Sequence, residues 1–239
     1  MGVDNFYFKG SMNPKDLIDS YKYVLEYRKA NPGYFVPEGI TIFCGDQGEG
    51  KTLSIVNTVI KMCNDYPNAW LVSNIEIKGI KNKQFYFSSL EDLSKFDNGI
   101  YGVIFVIDEI QNYLNSLNSK EIDLSTIVEL TQMRKQRKII IGSSQRYNRM
   151  AKPLREQVKN VVLCSKFLGY IQANQLIDST KTVEKDGQLQ VDSVKKFYWF
   201  HSPKLYKSYN TSKKIDGLIN RKEKNVVGLP TTYLNGGGF

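Results

Sequence analysis

Ile40-Thr-Ile-Phe-Cys-Gly45-Asp-Gln-Gly-Glu-Gly50-Lys-Thr52 decides how the rest of the chain is read. An apolar run is followed at once by Gly45-Asp46-Gln47-Gly48-Glu49-Gly50-Lys51-Thr52, which fits G-x-x-x-x-G-K-[ST] at every fixed position. The glycines let successive backbone N–H groups turn toward a phosphate chain. A helix beginning near Lys51 aims the positive end of its dipole at the same anion. Lys51 has the reach for the β- and γ-phosphates, and the Thr52 hydroxyl suits a Mg²⁺ ion. Leu53-Ser-Ile-Val-Asn-Thr-Val-Ile-Lys-Met downstream completes a strand–loop–helix unit. ATP with Mg²⁺ is therefore the expected ligand pair. Gly45 through Leu53 are its expected binding residues.

Working outward, the spacing of Leu17, Ile18, Tyr21, Val24 and Leu25 predicts a helix over Pro14–Lys29, ended by Asn31-Pro32-Gly33. It would cover a sheet edge or lie against a neighbouring subunit. Downstream, Trp70–Asn74 reads as a strand, and Ser88 as the N-cap of a short helix holding Leu90 and Leu93. Val103-Ile-Phe-Val-Ile107 has the run of β-formers expected of a strand buried on both faces. Leu124–Gln136 is helical in pattern, and Lys138–Gly142 and Val161–Cys164 are further strands. This alternation predicts an α/β fold, a three-layer P-loop NTPase sandwich with a mostly parallel central sheet. Beyond Cys164, Phe167–Ile177 and Val194–His201 are β-rich and flank the turn signal Lys185-Asp-Gly-Gln188, so an antiparallel β appendage is expected. The expected division is residues 1–39 as an N-terminal helical extension and 40–166 as the ATPase core. Residues 167–221 would continue that domain in β structure, and 222–239 would form a mobile tail.

Asp108-Glu109 closes the strand at 103–107. In phosphate-loop ATPases the first acid of such a pair holds Mg²⁺ and the second polarises the attacking water, so Asp108 joins Thr52 as a metal candidate and Glu109 is the candidate general base. Gln145, after the 138–142 strand, is a candidate γ-phosphate sensor, with an ordinary strand-end glutamine as the alternative. Arg134, Arg137, Arg146, Arg149 and Arg155 cluster nearby. Three uses compete for them: a finger reaching a neighbour's nucleotide, phosphate contacts to nucleic acid, and simple solvation. Arg134, Arg146 and Arg149 are the candidates for the first.

The 239 residues carry 33 Lys+Arg against 24 Asp+Glu, a net +9, which favours a polyanionic partner. Three widely spaced cysteines lack metal-ligand pairing and read as buried, reduced thiols of a cytoplasmic protein. No run is long enough to cross a bilayer, and no secretory signal is evident. Lysines interleaved with Phe197, Tyr198, Trp199, Phe200, Tyr206 and Tyr209 suggest either single-strand stacking or a half-buried β-face with solvated lysines. His201, the sole histidine, reads as structural.

With these residues placed, the chain resembles the zonular occludens toxin (Zot-like) family of the FtsK–HerA class of DNA-pumping motors. The resemblance rests on the phosphate loop, on Trp70–Gly79 with its Asn74, and on Val106-Ile-Asp108-Glu109. It also rests on Met133-Arg134-Lys135, on Gln145 followed by Lys152-Pro-Leu-Arg155, and on Ser202-Pro-Lys-Leu-Tyr206-Lys-Ser-Tyr209. Met133 and Lys135 stand where members often carry histidines. The resemblance implies a phage or mobile-element source and a ring-forming ATPase that moves viral DNA. A capsid or portal component would be its partner, in the host cytoplasm or with the virion. Members that extrude phage carry a membrane anchor; its lack here favours packaging into a preformed capsid. The rival readings are a nucleotide-switched scaffold in phage morphogenesis that translocates nothing and, further off, a small-molecule kinase.

Overall fold

The structure is a computed structural model, and it describes residues 13–113, 124–178, 182–185, 188–191 and 195–210. Asp186, Gly187 and the tail from residue 222 lie outside the described residues, as do Lys181, Lys213 and Lys214. In chain order the elements are α1 (Pro14–Ala30), β1 (Gly39–Cys44), α2 (Lys51–Asp65), β2 (Trp70–Ser73), β3 (Glu76–Ile77), β4 (Gln84–Tyr86) and α3 (Asp92–Lys95). They continue with β5 (Val103–Ile107), α4 (Leu124–Gln132), β6 (Lys138–Ser144), α5 (Lys152–Arg155), β7 (Val158–Phe167) and β8 (Ile171–Asp178). The last are β9 (Thr182–Lys185), β10 (Gln188–Val191), β11 (Lys195–Phe200), α6 (Pro203–Tyr206) and β12 (Tyr209–Asn210).

One eight-stranded sheet dominates, in the order β11-β8-β7-β1-β6-β5-β2-β4. The six strands from β7 to β4 are mutually parallel. All five residues of β5, an unbroken apolar run, and all seven of β6, apolar at Ile139–Ile141, are buried, as expected when helices cover both faces. One face packs Leu53, Ile55, Val56 and Val59 of α2 with Ile104, Val106, Ile139 and Ile141. The other packs Phe105, Ile107 and Ile140 with Phe87, Leu93, Leu130 and Leu154 from α3, α4, α5 and their flanks. This is the three-layer α/β sandwich that the alternation predicted.

The antiparallel β appendage expected beyond Cys164 is present, joined to the edge of the parallel core. β8 pairs with β7, and β11 with β8, so both extend the same sheet. Apart from it, β12 pairs with β3, and β9 pairs with β10, with Gln188 opposite Lys185 as the hairpin signal implied. Several local expectations change. Ser88 does not cap α3. Instead the Asp92 carboxylate accepts from the Ser88 N–H, the Ser88 hydroxyl and the Ser89 N–H, and the helix starts at Asp92. α4 ends at Gln132 rather than Gln136, because Met133 sinks into the core and Arg137, at φ 54°, reverses the chain into β6. α1 forms as predicted, yet it buries no residue and covers no sheet edge. Its ring contact Tyr27–Tyr34, with centroids 5.2 Å apart, ties its end to the core, and Arg137 stacks over Tyr34 at 3.7 Å. Cys44, Cys63 and Cys164 are free and buried, and burial foremost pushes each thiol up to about 12. No helix among the described residues is long and apolar enough to cross a membrane.

Candidate functional site

Parallel strands all deliver their C-terminal ends to one edge, and the loops after β1, β5 and β6 meet there. The loop after β1 runs Gly45–Gly50 into α2, a helix of 15 residues whose N-terminus faces the same space. Gly50 sits at φ 76° in the left-handed region, and a Cβ there would lie 2.1 Å from the Gln172 carboxamide oxygen. A Cβ on Gly45 would lie 2.6 Å from the Cys164 carbonyl. Both positions therefore demand glycine for space as well as for conformation. The Lys51 ammonium donates to the Gly45 and Asp46 carbonyls, each at 2.8 Å, and so arches back over its own loop.

Across from the loop, the Thr52 hydroxyl lies 3.4 Å from both carboxylate oxygens of Asp108. That separation is long for a hydroxyl–carboxylate hydrogen bond. Three hard oxygens facing one point suit a divalent cation that keeps part of its water shell. Asp108 is 5 % exposed and held on both sides. Asn74, at the end of β2, donates from its amide to the Asp108 carbonyl at 2.9 Å and accepts the Asp108 N–H at 2.8 Å. Ser143 donates its hydroxyl to Asp108 Oδ1 and accepts the Glu109 N–H at 2.7 Å. Glu109 occupies the left-handed region at φ 53°, a conformation costing a non-glycine residue about 1–2 kcal/mol. Its carboxylate accepts from the Asn112 amide at 3.1 Å. Ser143 and Asn74 thus hold the acidic pair in place, and strain at Glu109 is part of the arrangement.

Gln145, one residue past β6, lines the same pocket of about 300 Å³ and accepts from the Arg149 guanidinium at 2.9 Å. Arg146 and Arg149 are exposed at this edge of the sheet. Arg134 is not. It pairs with Glu38 at 2.7 Å, just before β1 starts, which puts it at the opposite edge of its own sheet. Six residues of strand at about 3.3 Å each place it roughly 20 Å from the phosphate loop of the same chain.

The far wall of the pocket comes from residues that had no assigned role in it. Lys166 from β7, His201 after β11, and Tyr206 and Tyr209 beyond it line the cavity together with the loop. Behind them is Gln172, fully buried on β8. Its amide nitrogen lies 2.9 Å from the Glu49 carbonyl of the loop, 3.1 Å from the Ser165 carbonyl and 3.0 Å from the Asn174 side-chain oxygen. With that nitrogen facing three acceptors, the Gln172 oxygen takes a hydrogen from His201 Nε2 at 3.1 Å. The imidazole then accepts from the Tyr206 hydroxyl at Nδ1. Burial, and after it Lys166, keep His201 below its ordinary pKa, which favours this neutral form. Tyr209 titrates above the usual phenol range through burial, then Tyr206 and Asp108. His201, read from the sequence as structural, stands in the pocket wall. Of the aromatics around it, Phe197 and Trp199 pack on the core, whereas Tyr198 and Phe200 point outward at 68 % and 73 % exposed.

No protein-family model matches the chain, and no curated protein matches it. Among solved structures it is similar to the N-terminal domain of zonular occludens toxin from Neisseria meningitidis. That match has a TM-score of 0.52 at 17 % identity, covering 73 % of this chain and all of the other. Weaker likenesses are two structures of the genome-packaging NTPase B204 of Sulfolobus turreted icosahedral virus 2, one in complex with AMP and one with ATP-gammaS. The first has a TM-score of 0.48 at 12 % identity, covering 66 % of this chain and 98 % of that one. The second has a TM-score of 0.46 at 11 % identity, covering 65 % and 97 %. The chain thus has the α/β P-loop fold seen in the zonular occludens toxin N-terminal domain.

Proposed function

We propose that this chain is an ATP-hydrolysing motor that translocates DNA as a ring, in viral genome packaging or phage assembly. The observation that carries the reading is the Thr52 hydroxyl set 3.4 Å from both Asp108 oxygens beside a complete phosphate loop, with Glu109 and Gln145 in the same pocket. In this reading Gly45–Leu53 wrap the triphosphate with backbone N–H groups and the α2 N-terminus. Lys51 leaves its own loop carbonyls for the β- and γ-phosphates. Thr52 and Asp108 hold Mg²⁺, which neutralises charge on the phosphate oxygens when bound. Glu109 takes the proton of the attacking water, and Gln145 reads the γ-phosphate, its carboxamide already oriented by Arg149.

A neighbouring subunit would complete the site with an arginine. The candidates for that arginine are Arg146 and Arg149, exposed at this edge, and Arg134 at the opposite edge. DNA would follow the cationic surface that a net charge of +9 supplies. Residues 40–166 form the motor core, and 167–221 continue it. The working place is the host cytoplasm, beside a capsid or portal component.

The test is Glu109→Gln. DNA-stimulated phosphate release should fall by about 10²–10⁴-fold while Mg·ATP binding persists. Unchanged turnover would remove Glu109 as the base. Directional displacement of a DNA-bound roadblock separates a motor from a nucleotide-switched scaffold, which would give none.

A further inference from the structure

The segment from His201 to Asn210 is fastened at both ends. At its start the His201 N–H donates to the Tyr170 carbonyl at 2.8 Å, and Ser202 accepts the Leu205 N–H at 3.2 Å. At its end the Lys78 N–H donates to the Ser208 carbonyl at 2.6 Å, and β12 pairs antiparallel with β3. Between these anchors Leu205, 7 % exposed, plugs into the core face that carries α2. The chain therefore crosses from the β11 edge of the sheet, past α2, to β3 at the end of β2. In crossing it brings Tyr206 to the pocket beside Lys51, Thr52 and Leu53.

Tyr206 is unlike a core aromatic. It remains 49 % exposed although its hydroxyl is engaged by His201. Its only described ring contact is edge-on with that imidazole, with centroids 5.5 Å apart and planes at 78°. An edge-on neighbour and a tethered hydroxyl fix the orientation of the phenol and leave its face uncovered. The tether runs on through Gln172 to the Glu49 carbonyl, so the ring and the phosphate loop are set by one hydrogen-bonded line. An aromatic face of fixed tilt, at the rim of a pocket whose floor is an anion cradle, suits a planar ring joined to a polyphosphate.

We infer that Tyr206 is the stacking platform for the purine base of the bound nucleoside triphosphate, positioned by His201 and Gln172. The inference rests on the nucleotide reading above and assigns the half of the ligand which the phosphate loop does not touch. A triphosphate leaving the loop along Thr52 and Leu53 brings its nucleoside toward this crossing segment. Tyr206 supplies area at little entropic cost, because the tether has already removed its rotamer freedom. Selectivity follows from ring size: a purine covers more of the phenol face than a pyrimidine does.

The experiment is titration calorimetry of the full chain with Mg·ATP, Mg·CTP and magnesium tripolyphosphate, for the native protein and for Tyr206→Ala and Tyr206→Phe. The native protein is expected to bind ATP more tightly than CTP, and CTP more tightly than tripolyphosphate. Tyr206→Ala should lose roughly 10- to 100-fold in ATP affinity and leave tripolyphosphate within a factor of about three. Tyr206→Phe keeps the ring without its tether and should fall between. Equal losses for ATP and tripolyphosphate in Tyr206→Ala would overturn the inference, because the residue would then support the loop rather than the base. An unchanged ATP affinity would overturn it too. Native protein that binds neither ATP nor tripolyphosphate would remove the nucleotide reading itself, an outcome distinct from either.

Discussion

Replacing Gly50 by alanine separates two costs that a phosphate loop combines. The first is conformational: Gly50 sits at φ 76°, where a Cβ costs about 1–2 kcal/mol. The second is steric, since that Cβ would stand 2.1 Å from the Gln172 oxygen, 3.0 Å from its carboxamide carbon and 3.3 Å from its nitrogen. Gln172 is fully buried, with partners at Glu49, Ser165, Asn174 and His201, so it has nowhere to retreat. Moving it breaks about two hydrogen bonds, each contributing about 0.5–1.5 kcal/mol net. The expected total for Gly50→Ala is about 2–5 kcal/mol. Gly48 supplies the control: its φ is 88°, but a Cβ there meets nothing within 4 Å, so Gly48→Ala should cost only the strain, about 1–2 kcal/mol. Urea denaturation with matched slopes gives both values. The sharper measurement is a double-mutant cycle. In a Gln172→Ala background the obstruction is gone, and Gly50→Ala should fall to the cost of Gly48→Ala. Equal costs for the two glycines, or strict additivity of Gly50→Ala with Gln172→Ala, would refute the claim that Gln172 braces the loop.

Two further outcomes follow from the same site. Ser143→Ala removes the hydroxyl that joins the Glu109 N–H to the Asp108 carboxylate, so Glu109 should relax from φ 53° and point away from the water it would activate. Turnover should drop by about 10²-fold with Mg·ATP affinity nearly kept, read from steady-state phosphate release beside calorimetry. His201 gives a pH dependence. Its folded pKa lies below the ordinary value of about 6.5, so the unfolded chain takes up the proton first as pH falls. The stability that neutral His201 supplies is fully present above about pH 6.5 and is lost as pH drops toward its lowered folded value. The melting midpoint should decline over that window, and the decline should be smaller in His201→Leu.

The phosphate loop and the acidic pair were legible because each is a contiguous string whose residue types answer a local demand. Glycine is needed where the backbone must expose its N–H groups, and carboxylates follow a strand too apolar to end in solvent by accident. Asn74 was visible as part of a motif, but its role depends on strand adjacency. Once β2 lies beside β5, with Ser73 opposite Val106, the next residue must reach the backbone of Asp108. Gln172 offered no such route. It stands 123 positions from the loop carbonyl it holds, on a strand that reads as an appendage until its pairing with β7 sets it behind the wall of the pocket.

The arginines mislead for a related reason. Arg134 and Arg137 precede β6, while Arg146 and Arg149 follow it, and β6 is a fully buried strand of seven residues. A run of charges close in sequence is thereby parted by roughly 20 Å, one pair at each edge of the sheet. Crowding along the chain is evidence of crowding in space only where no strand runs through the middle. In this chain Arg146 and Arg149 reach the phosphate-loop edge of their own subunit, whereas Arg134 can meet a nucleotide only if a second copy packs against the opposite edge. Separate Arg134→Ala and Arg149→Ala variants would therefore bear on opposite edges of the sheet, despite lying only fifteen residues apart in the chain.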